Sequence, residues 1–251
     1  MENIKNIPIL MYHIVAEKNS IPPDRWNDLY VDISFFDIQM KYLKKKGFTA
    51  IDFKDLDEII GGRKEAPAKP VIITFDDGFK DTFSNVTIIL KEQGFKAVFA
   101  MVTGDISGAN TWDENISDLP EFKVMSKEQI ADGVKRGFIF ESHSVTHGHF
   151  KDRPIDKVIN ELKESMRHLE EITGQKVITI IYPYGEYTDQ VKEAAKETGY
   201  LFGCAVSAPT RSVMEDRYAL KRVFVKGSDS LFTFKRKLSG LNMLYRGWRR
   251  R

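Results

Sequence analysis

Along most of the chain, short unbroken apolar runs alternate with longer segments in which apolar residues return every three or four positions. The runs fall at residues 7–12, 48–53, 70–75, 95–102, 138–142, 177–182, 201–206 and 219–225, and each predicts a strand. The run at 70–75 is apolar at nearly every position rather than at every second one, so it reads as a strand buried on both faces inside an α/β protein. The periodic segments predict helices at about 34–46, 54–61, 79–93, 126–136, 154–173 and 187–199. Ser34 opens the first and Gly47 closes it; Ser126 with Gln129 three positions on forms a capping box, and Gly137 ends that helix. Seven or eight β/α units, with no internal repeat or low-complexity linker, predict a parallel, barrel-like sheet of about seven strands wrapped by helices. The one long irregular stretch, 103–124, contains Trp112 and is a surface loop of a length that usually carries function.

Composition narrows this to one enzyme-sized domain: 251 residues, 42% hydrophobic and 29% charged, can bury a full core. Cys204 is the only cysteine, so no intrachain disulfide forms, and its setting "LFGCAVS" reads as a buried structural thiol. The first apolar run is interrupted by Pro8 and followed by no small-residue cleavage site, so it does not read as a signal peptide. No run approaches the ~18 residues of a membrane span. A cytoplasmic location is therefore expected. The net charge of +2 is unevenly placed, because residues 229–251 carry seven Lys or Arg against Asp229 alone, a net of +6, which leaves the first 228 at −4. The chain accordingly divides into a main domain, 1–228, and a basic tail, 229–251. In the tail Leu231, Phe234, Leu238, Leu241, Tyr245 and Trp248 recur at spacings of three and four, the stripe of an amphipathic helix. Such a helix either packs on the barrel with a solvated charged end or lies on anionic lipid headgroups.

In parallel α/β sheets the carboxyl ends of strands open onto the ligand crevice. "VIITFDDGFK", residues 71–80, puts Asp76 and Asp77 at such an end. Strand alternation would send their side chains to opposite faces, but Gly78 lets the chain turn at once and brings both within reach of one pocket. The competing reading is a solvated turn in which an Asp caps the helix from Phe79. "ESHSVTH" comes after another strand and holds His143 and His147 four apart, a spacing that suits two nitrogen ligands of one metal. With a carboxylate from the neighbouring strand end they would form a catalytic rather than structural metal set; with five histidines in the chain, a chance pair is the alternative. His149 continues the run as a loop residue. In "IIYPYG", Pro183 fixes the turn and Gly185 releases it, so the Tyr184 N–H is either an oxyanion donor or part of an ordinary Pro-Gly turn.

"TFDDG", "SHSVTH" and "YPYG", in that order, are joined by "ILMYH" near the start, "MSKEQIADGVKRGF" before the histidines and "YALKRVFV" near the end. Over roughly residues 7–226 the chain thus resembles the polysaccharide deacetylases, carbohydrate esterase family 4, with their NodB-homology domain. The resemblance implies a distorted (β/α) barrel that removes the acetyl group from an N-acetylated sugar of a glycan or glycan precursor. It implies Asp76 as general base, and Asp77, His143 and His147 as holders of a divalent metal, Zn²⁺ ahead of nickel, cobalt or iron. It also implies the Tyr184 N–H as oxyanion donor. Many members carry an arginine two residues before the motif proline, where this chain has Ile181, and a histidine acid near the C-terminus, where it has none after His168. Arg222 is the expected replacement for the arginine and His13, at the end of the first strand, for the acid; His168 reads as a surface residue. Glu141, where the family usually has a small residue, is not accounted for. A lipid-linked precursor would suit a basic tail at the inner membrane face, and no nucleic-acid partner is expected. The other readings are a deformylase or small-amide hydrolase on the same scaffold, or a sugar-binding homologue without turnover, against which the presence of Asp76 argues.

Overall fold

The computed structural model describes residues 7–20, 27–113, 120–206 and 215–238. From the N-terminus come β1 (Ile9–Tyr12), β2 (Ile14–Ala16), β3 (Tyr30–Asp32), α1 (Ile33–Lys45), β4 (Thr49–Ala50), α2 (Phe53–Ile60), β5 (Pro70–Phe75) and α3 (Lys80–Gln93). After them come β6 (Val98–Met101), α4 (Lys127–Lys135), β7 (Ile139–Ser142), α5 (Ile155–Thr173), β8 (Thr179–Ile181), α6 (Asp189–Thr198) and β9 (Phe202–Ala205). The described chain ends with β10 (Leu220–Lys221), β11 (Val223–Phe224) and α7 (Leu231–Leu238).

Neighbours in the main sheet run β10-β9-β8-β7-β6-β5-β1-β11, with β4 beside β5, and every pairing is parallel. Residues 220–224 close the ring. Leu220 lies opposite Cys204 of β9, Val223 lies opposite Leu10 of β1, and the single predicted strand at 219–225 is broken between them at Arg222. The Arg222 N–H still donates to the Ala205 carbonyl at 3.0 Å, and Val225 N–H to Met11 at 3.0 Å. The result is a distorted (β/α) barrel of about seven strand positions, as the sequence predicted.

Strand alternation divides the core in two. Leu10, Tyr12, Val71, Ile73, Phe75 and Phe99 share one cluster with helix residues such as Phe36, Met40, Val86, Leu90 and Leu162. Ile9, Ile72, Val98, Ala100, Phe202 and Leu220 form another, with Phe53, Leu56 and Ile59 of α2 packed on it. Cys204 belongs to the second cluster, and burial pushes its thiol up to about 12, so it is an inert structural thiol.

Some local expectations needed correction. Ser34 does not cap α1: the Asp32 carboxylate does, accepting from the N–H groups of Ser34 and Phe35 at 2.9 and 3.3 Å, while the Ser34 hydroxyl turns to the same carboxylate. A carboxylate is the stronger acceptor for a helix N-terminus, and it displaces the hydroxyl. The predicted strand at 48–53 shrinks to β4, and the small parallel pair β2–β3, with Ile14 opposite Tyr30, was not foreseen because three residues carry no readable period. Ser126 and Gln129 do form the capping box of α4. In the tail, Phe234 is fully buried and meets Tyr42 edge-on at 6.4 Å, with Leu231 and Leu238 packed beside it. Lys237 Nζ donates to the Phe224 carbonyl at 2.7 Å. The first half of the apolar stripe therefore faces the barrel; Leu241, Tyr245 and Trp248 lie outside the described residues.

Candidate active site

Each motif singled out in the sequence lies just past the carboxyl end of a barrel strand: His13 after β1, Asp76 and Asp77 after β5, His143 after β7, and residues 182–185 after β8. Asp76 N–H still bonds the Tyr12 carbonyl at 2.9 Å, so this residue completes the ladder. Asp77 then turns left-handed, with φ 71°, and Gly78 comes next at φ 72°. The positive φ is what calls for glycine at this turn; a Cβ there would meet the tip of the Met101 side chain at 2.5 Å, a contact that methionine can yield. Neither aspartate caps the next helix, because the N-cap of α3 is Phe79, which has no side-chain cap bond. Asp77, Ser144, His147 and Tyr184 are four of the five described non-glycine residues with positive φ, and all four lie around this site. Such strain persists where surrounding structure enforces it, and it marks functional geometry.

The buried Asp76 carboxylate is held in a two-pronged ion pair, Arg222 Nη1 to Oδ1 at 2.6 Å and Nη2 to Oδ2 at 2.7 Å, with Nη1 also 3.2 Å from Thr74 Oγ1. Burial alone would raise this carboxyl; the Arg222 charge, then that of His143, and the Arg222 hydrogen bonds more than offset it and leave it lowered. Arg222 reaches Asp76 because the break between β10 and β11 places it in the barrel wall, two strand positions from β5. His13 Nε2 lies 3.9 Å from Asp76 Oδ2, its Nδ1 is buried without a partner, and its ring packs on Phe224.

Asp77 Oδ1, His143 Nε2 and His147 Nε2 form a buried triangle with sides of 3.5, 3.5 and 3.2 Å. His143 Nδ1 is 2.6 Å from the Ile181 carbonyl, which can only accept, so Nδ1 carries a proton. Burial would lower this imidazole, but Asp77 and Asp76 raise it while no cation is bound, and once a cation replaces the second proton the lone pair lies on Nε2. That lone pair faces a carboxylate oxygen that has no hydrogen-bond partner and a second imidazole nitrogen. A divalent cation satisfies all three, and a tetrahedral ion with bonds of about 2.0–2.2 Å needs ligand spacings of roughly 3.3–3.6 Å. The residues therefore fit a metal. Burial, then the nearby charge of His143, pushes His147 down to about 3, so it is neutral as a ligand must be. Burial would raise Asp77, yet the close approach of His143 outweighs it and holds the carboxyl well below the usual range.

Residues 183–185 form a short 3-10 helix in which Tyr184 is left-handed at φ 57°. The Tyr184 N–H lies in its first turn, where N–H groups have no intrahelical acceptor. The Tyr184 ring sits 4.6 Å from His147 and stacks on His149 at 3.8 Å, and His149 Nδ1 is 2.9 Å from Glu186 Oε2. His149 is thus part of the rim of the site rather than a passing loop residue.

The sequence profile described as polysaccharide deacetylase matches residues 63–203, more than half of the chain. The chain belongs to the polysaccharide deacetylase family. It is 28% identical over 224 residues to YxkH of Bacillus subtilis, provisionally named a polysaccharide deacetylase, covering 89% of this chain and 73% of that one. To the poly-beta-1,6-N-acetyl-D-glucosamine N-deacetylase of Staphylococcus aureus it is 25% identical over 213 residues, 80% of this chain and 69% of the relative. Among solved structures, the Streptococcus pyogenes deacetylase PplD in complex with acetate has the same fold, with a TM-score of 0.80 over 93% of this chain and 98% of its own at 24% identity. The Bacillus cereus polysaccharide deacetylase BC0361 has a TM-score of 0.76 at 26% identity, over 93% of this chain and 69% of its own.

Several residues of this deacetylase-family site carry no motif of their own in the sequence. Glu161 of α5 anchors the turn that carries the two histidines, accepting from the N–H groups of Val145 and Thr146 at 2.9 Å each, and Arg153 holds Glu161 in turn. Ser165, one helical turn on, bonds Ser142 at 2.7 Å. The readable signal was two polar residues on the otherwise apolar buried face of Val158, Leu162 and Leu169. Trp112, from the 103–124 loop, packs on His147 at 5.3 Å, and burial raises its neighbour Asp113 to about 6. Glu141 now has a place: its buried carboxyl accepts from Ile178 and Thr179 N–H at 3.0 and 2.8 Å, tying β7 to the start of β8 beneath His143. His168 lies on α5 with its side chain about one-third exposed, 3.6 Å from Glu164, and is not one of the three clustered ligand groups.

Proposed function

We propose that this protein is a metal-dependent deacetylase that hydrolyses the N-acetyl group of an amino sugar in a glycan or glycan precursor. The observation that carries the reading is the adjacency of two differently held carboxylates, Asp77 among histidine nitrogens and Asp76 in the fork of Arg222. Asp77, His143 and His147 would hold the ion, with Zn²⁺ the choice best suited to two imidazoles and one carboxylate. When bound, the cation supplies Lewis acidity, lowering the pKa of a water and polarising the amide carbonyl. Asp76, ionised at neutral pH and fixed by Arg222, accepts the proton that the attacking water loses. The Tyr184 N–H donates to the oxyanion as the carbonyl carbon becomes tetrahedral. His13 delivers a proton to the departing amine. The relative named for poly-beta-1,6-N-acetyl-D-glucosamine favours β-linked N-acetylglucosamine as the first substrate to try.

The purified protein, loaded with Zn²⁺, is expected to release acetate and an equal amount of primary amine from N-acetylglucosamine oligomers. The His143→Ala/His147→Ala double variant should lose bound metal and turnover together. Formate release from N-formyl sugars in place of acetate would move the activity to the deformylase reading, and unchanged metal content in the double variant would remove the ligand assignment.

We also propose that residues beyond Leu238 make peripheral contact with anionic membrane, which would bring a lipid-linked precursor within reach. Since Phe234 is committed to the barrel, this rests on Leu241, Tyr245, Trp248 and the terminal arginines. Full-length protein should sediment with anionic vesicles at low salt, and a chain ending at Leu238 should not. Equal behaviour of the two would end the idea.

A further inference from the structure

Beside the metal site, between β2 and the first turns of α3, lies a groove of about 330 Å³ lined by Tyr30, Phe79, Phe122, Glu17, Asp81 and Asn85, among others. That volume is at the small end for ligand pockets, enough for one sugar ring and not for a run of them. Its walls grow out of the site itself, since Ile14 comes directly after His13 and Phe79 two residues after Asp77. Rings connect the two places in series: His147 to Trp112 at 5.3 Å, Trp112 to Phe79 at 6.3 Å, Phe79 to Phe122 at 5.0 Å, and Phe122 to Tyr30 at 6.0 Å.

Three features select an occupant. Tyr30 is 2% exposed and its hydroxyl has no hydrogen-bond partner, an arrangement that a ligand donor or acceptor would relieve. Phe122, the half-buried ring of the lining, backed by the buried rings of Tyr30 and Phe79, offers the apolar surface that the C–H face of a pyranose, or a cation, packs against. The exposed lining carries the carboxylates of Glu17 and Asp81, whereas Lys123, the one cation among the described lining residues, is already paired with Glu121 at 2.5 Å. A neutral sugar would use the aromatic surface but gain little from the two acids. A protonated amino sugar would use both.

We propose that this groove binds an amino-sugar unit bearing a free ammonium group, on the same glycan whose N-acetylated unit lies at the metal site. The inference rests on the deacetylase reading, because an ammonium is what that reaction leaves behind. A partly deacetylated chain is then held by an earlier product while its next acetylated unit is presented to Asp76 and His13.

Two oligosaccharides that cannot be deacetylated, a glucosamine trisaccharide and the glucose trisaccharide of the same linkage, separate this from turnover. Calorimetry on the zinc-loaded full chain should show the glucosamine compound binding about ten-fold more tightly, with the preference fading as salt rises. Asp81→Asn should erase most of that preference. Phe122→Ala should weaken both compounds, and Tyr30→Phe, which removes only the hydroxyl, should weaken binding without unfolding the groove. Equal affinity for the two sugars, or a preference that survives Asp81→Asn and Phe122→Ala, would overturn the proposal. A protein that prefers glucosamine in this way but releases no acetate from any N-acetyl sugar would keep the groove and lose the deacetylase reading.

Discussion

Arg222→Met is expected to abolish turnover and to lower the stability of the fold by about 3–5 kcal/mol at neutral pH, the cost of removing one partner of a buried ion pair. Both prongs of the pair are short, 2.6 and 2.7 Å, and both residues are buried. Without the guanidinium, Asp76 keeps only the imidazoles of His143 and of His13, the latter at 3.9 Å, and Asp77 is its neighbour in the chain. Methionine fills a similar volume, so the loss reports the stranded charge rather than a cavity. The same picture sets the sign with pH. In the wild type the Asp76 carboxyl is held below its ordinary value of 3.8, so its contribution is present above that pH and is lost on acidification through the lowered value. In the methionine variant burial dominates and raises the carboxyl, so the variant's deficit should shrink as the pH falls from neutral towards 4. Adding Asp76→Asn should restore most of the lost stability but none of the activity. Urea unfolding of the two single variants and the double variant measures this; a deficit below about 1 kcal/mol for Arg222→Met would mean that the pair is solvated in solution.

The barrel and the positions of the candidate site residues at its strand ends were legible because they obey local rules. An unbroken apolar run such as residues 70–75 is a buried strand in almost any context, and the residues just past the end of such a strand lie in the crevice. Contact between distant residues was legible only through the family resemblance, which put Arg222 in the place of the arginine that holds the base. That Arg222 bonds Asp76 depends on a strand breaking at the arginine and closing the ring between β9 and β1, and no period records such a break. Ile181, which stands where a family arginine is common, contributes a backbone carbonyl to His143, a role its side chain cannot announce. Asp77 in a left-handed conformation was expected only as far as Gly78 supplied the turn; in the structure the aspartate shares it. Glu161 and Ser165 were visible as polar interruptions of an apolar helix face, but the partner of that face lay elsewhere in the chain.

His13 provides the most discriminating test of the mechanism, because the acid's work depends on the leaving group. An amine departs only when protonated, whereas a nitrophenolate departs as the anion. His13→Ala should therefore lose roughly 100 to 10,000-fold in kcat on N-acetylglucosamine oligomers, the usual contribution of a positioned acid or base. On 4-nitrophenyl acetate it should stay within a few-fold of the wild type. Asp76→Asn should fail on both substrates, since each needs the attacking water to lose a proton. The geometry allows the split: His13 Nε2 stands 3.9 Å from Asp76, short of a hydrogen bond, with its other nitrogen unpartnered and its ring held by Phe224. The imidazole is thus placed beside the base without being consumed by it, on the side from which the first strand enters the site. Bound metal should be unchanged in His13→Ala, because the three ligand atoms belong to other strand ends. If the ester and the amide lose activity in equal measure, His13 acts by holding Asp76 in place, and the proton reaches the amine from another group.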